Sequence, residues 1–569
     1  SLHKKTSLNL SSLNLTALVP EVELLTHVQE LNLSFNPDME VLPSEIGHLV
    51  ELTNLDLSFN RFTSLPLFLH RLEKLQVLNL EGTRHNIVNP PRVVLDHGLK
   101  GLLGYYSDLL QGEPCYRLKL MFVGQENVGK STLLHALKSL KLRRRTKRSN
   151  ISTDGIDIEH WSLKTANKQQ LTFSAWDFAG QEIYYATHSL FLSSHAIYLI
   201  VFDLRNPDAA RIEFWLNSVA SRATSAPVLL VGTHRDAPEL EDAVLTKRLQ
   251  DLEEKYVTRF PNIKQITAVS ATDYLGVSEL HDLLGEIGLQ MPTVKDPLPK
   301  IYAALEDMVL ESKATENPPA VNWKRFVELA DSVAFKDEDQ LLRATHFLND
   351  LGSLVFFEDD LTNERLIVLD PQWLTAMFAS VITTSHTYIK QGILKLSNIG
   401  QIWRAPQYPP EMHSTLLALL QKFEIIYELP VDDNQDKQFL IPNLLPEERP
   451  PIDLLWLDFD PKSVQYSRRY TLQFIPNGMF SKLMVRFLHF ADVPLKFWRF
   501  GVLAQRGSDK ALIELVGKVV HITVRGDTSA EFLRVATEIV DTLINSWFKV
   551  TITKAEVPCP HCIKLQIDN

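Results

Sequence analysis

The sequence predicts a multidomain α/β protein: a leucine-rich-repeat solenoid, a phosphate-binding α/β domain, a winged-helix-like α-rich unit and an α+β unit, in that order. Three observations carry this. Leucines recur at a fixed period near the N-terminus. A glycine-rich loop joins a strand-like run to a helical run at residue 124. The second half passes from helical periodicity to alternating strands. The size agrees, since 569 residues at about 150 per domain make about three to four domains.

Composition bounds the function classes. Hydrophobic residues are 45% and charged residues 22%, an ordinary globular balance rather than a disordered one. The net charge of −11 disfavours nucleic-acid binding through a broad basic surface. Three cysteines (Cys115, Cys559 and Cys562) are too few for a disulfide framework and point to a reducing, cytoplasmic setting. No apolar run approaches the ~18 residues of a membrane span, so any membrane association is peripheral. The chain opens at Ser1 with neither initiator Met nor signal peptide, which reads as the cut edge of a longer protein.

Residues 1–92 carry the repeat. Val28-x-x-Leu31-x-Leu33-x-x-Asn36 is followed by Leu52-x-x-Leu55-x-Leu57-x-x-Asn60 and Leu75-x-x-Leu78-x-Leu80-x-x-Thr83. From Leu8 to Leu31, Leu55 and Leu78 the steps are 23, 24 and 23 residues, inside the ~20–29 range of leucine-rich repeats. Each Leu-x-Leu is expected as a short strand with its leucines in the core. Each Asn is expected to bridge neighbouring coils, because its amide both donates and accepts. Leu42-Pro43 and Leu65-Pro66 start the return segments. So short an array reads as the stub of a longer one covering the next domain, which is favoured, or as a surface for a protein partner. Asn89-Pro90-Pro91 ends it, and 93–116 is a linker with a helix over 93–112 packed through Tyr105 and Tyr106.

The domain over 117–292 opens with the buried-strand run Arg117–Val123. This delivers Gly124-Gln-Glu-Asn127-Val128-Gly129-Lys130-Ser131-Thr132 to a helix over 129–140, a G-x-x-x-x-G-K-[ST] loop in its strand-to-helix context. Gly124, Asn127, Val128, Gly129 and Thr132 belong to the phosphate cradle, where glycines let backbone N–H groups approach and the helix N-terminus adds its positive end. Lys130 should reach the β- and γ-phosphates, and the Ser131 hydroxyl should ligate Mg²⁺. Two strand-like runs, 157–164 and 170–177, lead into Asp177-Phe-Ala-Gly180-Gln181-Glu182. There Asp177 would hold Mg²⁺ through water, Gly180 N–H would sense the γ-phosphate, and Gln181 would orient the attacking water. Thr153, within Ser152-Thr-Asp-Gly-Ile156, would close on Mg²⁺ only in the triphosphate state. Lys130, Thr153 and Gln181 are thus the catalytic candidates, and Ser131, Thr153 and Asp177 the metal set.

Strand-like runs over 196–204 and 228–232 follow, the second ending in Thr233-His234-Arg235-Asp236, the place of a guanine-reading [NT]-K-x-D motif. Asp236 would accept from N1–H and the exocyclic amine of guanine, a donor pair that adenine lacks. His234 stands where the usual motif has Lys. Ser270 and Ala271, in Val269-Ser-Ala, match the short loop that touches the guanine oxygen. Four motifs, each at a strand end, make GTP or GDP the expected ligand of a Ras-like P-loop GTPase fold. His234-Arg-Asp236 and Asp177-Phe-Ala-Gly180 mimic protein-kinase motifs, but in reversed order, so no kinase is expected in this chain. Between the P-loop helix and Thr153 lies the basic run Lys138, Lys141, Arg143, Arg144, Arg145, Lys147 and Arg148. It is read as a solvated lead-in to the switch rather than an acidic-lipid, RNA or partner site.

The succession of a leucine-rich repeat, Asn89-Pro-Pro and Leu118-Lys-Leu-Met-Phe-Val-Gly-Gln-Glu-Asn-Val-Gly-Lys-Ser resembles the Roco GTPases, relatives of the leucine-rich-repeat kinases. Asp177-Phe-Ala-Gly-Gln-Glu and Thr233-His-Arg-Asp are similar to variants in that family's Roc domain. Pro297-Leu-Pro299 marks the boundary after which the family's COR unit should follow. Phe347-Leu-Asn-Asp-Leu-Gly-Ser-Leu-Val-Phe-Phe357 and Leu369-Asp-Pro-Gln-Trp-Leu374 look like its first half. The resemblance implies a COR N-terminal half over 293–448, a C-terminal half over 449–557 as the main homodimerisation element, and a tail over 558–569. It also implies that many relatives carry another residue at the Gln181 position.

Without the family, 301–448 reads as a helix, a hairpin over 354–369 and another helix. Asp350, Glu358, Asp359 and Asp360 favour protein packing over DNA there. After residue 451, a strand at 469–475, a helix over 477–490, strands at 497–504, 511–516 and 519–525, and a helix over 528–547 are expected. Cys559-Pro-His-Cys562 is either half of a zinc site or two free thiols. The expected function is a GTP-hydrolysing switch whose nucleotide state alters packing between Roc and COR, and so dimerisation and signalling output. The alternative is a non-hydrolysing, GTP-bound scaffold binding its partner through the repeats. In either case the chain reads as the regulatory centre of a longer protein.

Overall fold

The computed structural model describes residues 6–83, 87, 90, 92–110, 112–140, 155–165, 169–181, 184, 191–193, 195–207, 210–223, 226–291, 294, 297–358, 365–383, 387–405, 407–430, 436–457, 464–476, 478–548 and 552–558. Ser7–Asn9, Glu30–Asn32, Asn54–Asp56 and Val77–Asn79 stack as a parallel ladder with Leu8, Leu31, Leu55 and Leu78 in register. Short 3-10 segments, Pro20–Leu24, Ser44–His48 and Leu67–Arg71, lie on the return paths. Leu33, Leu49, Leu57 and Leu72 are wholly buried between them.

Burying a coil leaves its turn amides without water, and the asparagines supply their partners. Asn36 Nδ2 donates to Leu10 O (3.0 Å) and Leu33 O (2.9 Å), and its Oδ1 accepts from Leu13 N (3.2 Å) and Leu15 N (3.0 Å). One coil on, Asn60 accepts from Asn36 N at 2.7 Å and donates to Leu33 O and Leu57 O, both at 3.0 Å. Thr83 ends the series with a single hydroxyl, which accepts from Asn60 N and donates to Leu57 O, both at 2.8 Å. The linker departs from the single helix expected over 93–112. It forms two, Arg92–Asp96 and Gly98–Leu109, because Gly98 takes a left-handed φ of +63° that interrupts helical continuity. Tyr105 and Tyr106 are buried, and the Tyr106 hydroxyl donates to Leu65 O at 2.6 Å.

The α/β domain is built from β1 (Arg117–Val123), α1 (Lys130–Ser139), β2 (Ile156–Lys164), β3 (Gln170–Phe178), β4 (Ala196–Asp203), α2 (Ile212–Arg222), β5 (Val228–Thr233), α3 (Asp242–Tyr256), β6 (Ile263–Ala268) and α4 (Val277–Gln290). The sheet order is β6-β5-β4-β1-β3-β2, parallel except for β2, which pairs antiparallel with β3 at the edge. The central strands are predominantly apolar, as strands buried on both faces require, with Lys119 of β1 a buried exception. Their C-terminal ends open together on one side, which in such sheets is where ligands bind.

Helices Lys300–Thr315, Trp323–Ala330 and Glu338–Leu351 follow, with the hairpin strands Val355–Glu358 and Arg365–Val368. A strand that was not expected, Ala320–Asn322, pairs with Arg365–Val368. The helix Pro371–Val381 starts where its sequence says it should. Asp370 caps it by accepting from Gln372 N at 3.1 Å, and Pro371 fills the first turn, where its missing N–H costs nothing. Asp359 and Asp360 lie outside the described residues.

The last unit is a six-stranded antiparallel sheet. The run expected as one strand over 497–504 is instead a hairpin of Val493–Trp498 and Gly501–Arg506. Alternating side chains read alike through a tight turn, and here a Cβ on Gly501 would lie 2.0 Å from the Trp498 ring. The helix expected over 528–547 runs as Ser529–Thr542 and then widens into a π-helical stretch, Leu543–Phe548. A final strand that was not anticipated, Ile552–Glu556, joins the sheet edge. Cys559 and Cys562 fall outside the described residues. Among the described residues, no helix is long and apolar enough to cross a membrane.

The α/β domain and the α-rich unit share one core. Trp176, Phe178 and Phe191 belong to the same apolar cluster as Leu374, Met377, Phe378 and Phe423.

Candidate nucleotide-binding site

β1 releases the chain into a loop of left-handed residues: Gly124 at φ +146°, Asn127 at +58° and Gly129 at +92°. A Cβ on Gly124 would lie 2.1 Å from Val201 O of β4, so only glycine lets the loop fold over the sheet. Gly129 caps α1, and Lys130 is its first residue. The Lys130 side chain turns back into the loop, and Nζ donates to Gly124 O (2.9 Å) and Gln125 O (2.6 Å). Burial pushes its ammonium down to about 8, against the opposing pull of Asp177 and Glu126.

Ser131 and Thr132 follow in the first turn of α1. Ser131 Oγ donates to Asp177 Oδ2 at the end of β3, and Asp177 is only 2% exposed. A hydroxyl and a buried carboxylate meeting beneath a phosphate-type loop are hard oxygen donors, the chemistry Mg²⁺ selects. These two residues fit that ion. Beyond Asp177 the chain crosses the loop, where a Cβ on Gly180 would lie 2.1 Å from Glu126 N, and Gln181 follows, half-buried. Ala179 N donates to Gly155 O at 2.8 Å, which ties the start of β2 to this turn. Thr153 and the run 143–148 lie outside the described residues.

At the other end of the site, Thr233 Oγ1 lies 2.7 Å from Val128 O and 3.0 Å from Phe202 O, which joins β5 to the glycine-rich loop. His234 takes φ +61°. Its Nδ1 lies 3.1 Å from Thr233 Oγ1 and 3.5 Å from Asp203 Oδ1. Burial works against the charge on Asp203, but hydrogen bonds from the Arg205 side chain and backbone outweigh it and hold this carboxyl below its usual range. Asp236 is exposed in a loop fixed by Arg235 N→Val269 O (3.1 Å) and Ala237 N→His234 O (3.0 Å). Ser270 is buried, with its N–H donating to Leu275 O at 2.9 Å and its Oγ accepting from Asp273 N at 3.2 Å; Ala271 follows, also buried. Asp203 and Arg205 escaped the motif reading. Their signal was Asp-x-Arg immediately beyond an apolar strand.

A second group also went unseen. Lys119, wholly buried in β1, donates to Asn349 O of the α-rich unit at 2.6 Å and lies 5.1 Å from the Trp176 ring centroid. Burial pushes it down to about 8, and Asp350 opposes this. Asp350 itself pairs with His195 Nδ1 at 3.0 Å. Arg117 grips Glu306 with two bonds of 2.6 and 2.7 Å. On the edge strand, Ile158 N donates to Gln372 Oε1 (2.8 Å) and Ile156 O accepts from Gln372 Nε2 (3.1 Å). A lysine and an arginine inside an apolar strand run were the available sequence signal.

Three family models match the chain in succession. Residues 119–236 match the family model described as Ras of Complex, Roc, domain of DAPkinase. Residues 299–445 match the C-terminal of Roc, COR-A domain, and 463–569 the C-terminal of Roc, COR-B domain. The probable serine/threonine-protein kinase pats1 of Dictyostelium discoideum is 40% identical over 520 residues, covering 87% of this chain and 16% of that protein. Cyclic GMP-binding protein C of the same organism is 32% identical over 516 residues, covering 84% of this chain and 20% of that one. The leucine-rich repeat serine/threonine-protein kinase 1 of Mus musculus is 27% identical over 510 residues, covering 84% and 24%. The chain thus spans about a quarter or less of the length of these curated relatives. Among solved structures, Methanosarcina barkeri Roco2 RocCORdC bound to GDP is 26% identical, covering 59% of this chain and 97% of that one, with a TM-score of 0.47.

Proposed function

The chain belongs to the Roco family, with a Roc GTPase domain followed by COR-A and COR-B, and on that premise we propose that it is a GTP-hydrolysing molecular switch. The observation that carries this reading is the convergence at the C-terminal ends of the strands. Lys130, Ser131, Asp177 and Gly180 gather around the glycine-rich loop, and Thr233, His234, Asp236, Ser270 and Ala271 stand at the neighbouring ends of β5 and β6. In hydrolysis, a water oxygen bonds to the γ-phosphorus and the bond from that phosphorus to the β–γ bridging oxygen breaks. The bridging oxygen leaves on GDP, and the water's proton passes to the phosphate. Lys130 neutralises the phosphates, Gln181 orients the water and Gly180 N–H senses the γ-phosphate. Ser131 and Asp177, joined by Thr153 in the triphosphate state, would hold Mg²⁺, which when bound supplies charge neutralisation across the β- and γ-phosphates.

Residues 1–92 are a leucine-rich-repeat stack able to carry a protein partner, COR-A is winged-helix-like, COR-B dimerises, and the protein works in the cytoplasm with its output set by nucleotide state. GTP turnover and oligomeric mass should be measured together, with GDP and with a non-hydrolysable GTP analogue. Turnover with a nucleotide-dependent mass is expected; no turnover and one mass in both states would leave a GTP-bound scaffold instead. Gln181→Leu should slow single-turnover hydrolysis by at least about tenfold at unchanged affinity, and an unchanged rate removes Gln181 from the mechanism. Asp236→Asn turns an acceptor into a donor facing guanine's own donors. It should weaken GTP by about 100-fold and raise preference for a xanthine nucleotide in a competition titration.

A further inference from the structure

Gln372 does something unusual at the edge of the Roc sheet. Among the described residues β2 is an edge strand, and its outward Ile156 O and Ile158 N meet no neighbouring strand, which leaves them open to a donor–acceptor pair. The Gln372 carboxamide supplies that pair, accepting from Ile158 N at 2.8 Å and donating to Ile156 O at 3.1 Å. A carboxamide carries a donor and an acceptor side by side on one carbon, which suits this pair. One turn along, Thr375 Oγ1 lies 3.1 Å from the same Ile156 O and 2.9 Å from Gln372 O. Gly155, at φ +76°, is pressed on the same helix, so that a Cβ there would lie 3.1 Å from Ala379 Cβ and 3.2 Å from Thr375 O.

The clamped residues continue directly into the site. Gly155 O accepts from Ala179 N at 2.8 Å, and the next residue, Gly180, lies against Glu126 N of the glycine-rich loop. From the COR-A helix to the phosphate loop there are thus two hydrogen-bonded steps, two covalent ones and a final packing contact. We infer that Gln372, assisted by Thr375, is a positioning residue for hydrolysis: by fixing Ile156 and Gly155 it fixes the Ala179–Gly180–Gln181 turn over the γ-phosphate position. Its effect reaches the reaction only through that turn. This rests on the reading that the site hydrolyses GTP.

The test is single-turnover GTP hydrolysis by the full chain, alongside GDP and GTP-analogue affinities and amide exchange over 155–181. Gln372→Met keeps the side chain's length and removes both bonds. It should slow hydrolysis about tenfold, since a small misplacement of a positioned group costs at least that much, while nucleotide affinity stays within about twofold and exchange at Ala179 rises. Gln372→Glu keeps the acceptor, loses the donor and sets a carboxylate against Ile156 O, so it should fall in the same direction. Thr375→Val should have the smaller effect and Thr375→Ser should restore it, which keeps the inference testable if the Gln372 variants fold poorly. A wild-type rate in a variant whose Ala179 exchange has risen overturns it. So does an equal loss of rate and affinity, the mark of a merely structural residue. If the unmodified protein shows no turnover, it is the hydrolytic reading that fails, whatever the variants do.

Discussion

Lys130→Ala is expected to lower nucleotide affinity by about three orders of magnitude while leaving the nucleotide-free protein no less stable. The two halves of that result have one cause. Without phosphates the buried ammonium donates to the carbonyls of Gly124 and Gln125, and burial, outweighing the pull of Asp177 and Glu126, moves it from 10.5 down to about 8. A buried cation with neutral partners is a cost to the fold, so its removal does not lower the melting temperature. Phosphate oxygens change the sign by pairing with the full charge. Affinity should therefore be flat with pH below about 8, where the proton is already present. Above that pH, binding must take up a proton, and affinity should fall by up to about tenfold per pH unit. Stability runs the other way. The folded pKa lies below the unfolded one, so the unfolded chain holds more protons between about 8 and 10.5, and this group's contribution to stability rises with pH across that window. Titration with a fluorescent nucleotide from about pH 7 to 9.5 reads the first effect, and the alanine variant should lose the slope along with the affinity. Affinity within tenfold of the original would remove Lys130 from the phosphate site.

The contrast between Lys130 and Lys119 shows what the sequence makes legible. Both are buried lysines pushed down to about 8. Lys130 belongs to a motif because bending a chain around a phosphate needs glycines at fixed offsets and a helix start, and those needs are written locally. Gly180, Thr233 and Asp236 are legible for the same reason, each held at the end of a strand. Lys119 answers to Asn349 and Asp350, more than two hundred residues away. No local period records such a partner, and the only trace is a charge where an apolar residue should be. Short strands escape for a related reason. Ala320–Asn322 and Ile552–Glu556 are too brief to complete a pattern, and they are strands only because a neighbour offers an edge. Gly98 hid the break in the linker helix because glycine is also tolerated within helices.

Phe378→Ala tests whether Roc and COR-A are two domains or one. It should cost about 3–5 kcal/mol and move a single unfolding transition rather than splitting one from another. Phe378 is 2% exposed, with ring centroids 6.4 Å from Phe191 of Roc and 5.3 Å from Phe423 of COR-A. Phe191 in turn lies 5.6 Å from Trp176 beside the site. Interfaces between domains are usually polar enough to allow relative motion, whereas here the apolar cluster is continuous across the boundary. The Lys119, Arg117 and Gln372 contacts cross the same boundary. Ligand binding offers a way to decide, because nucleotide at about 100 times its Kd adds about 2.7 kcal/mol to whatever unfolds with the site. If the two units form one cooperative body, that gain should offset more than half of the variant's loss, and helix Pro371–Val381 should gain exchange protection with GDP. If calorimetry instead shows two transitions and nucleotide raises only one of them, the shared core does not couple the units. A nucleotide-driven change in COR packing would then have to travel through the polar contacts of Gln372, Lys119, His195 and Arg117 rather than through the apolar core.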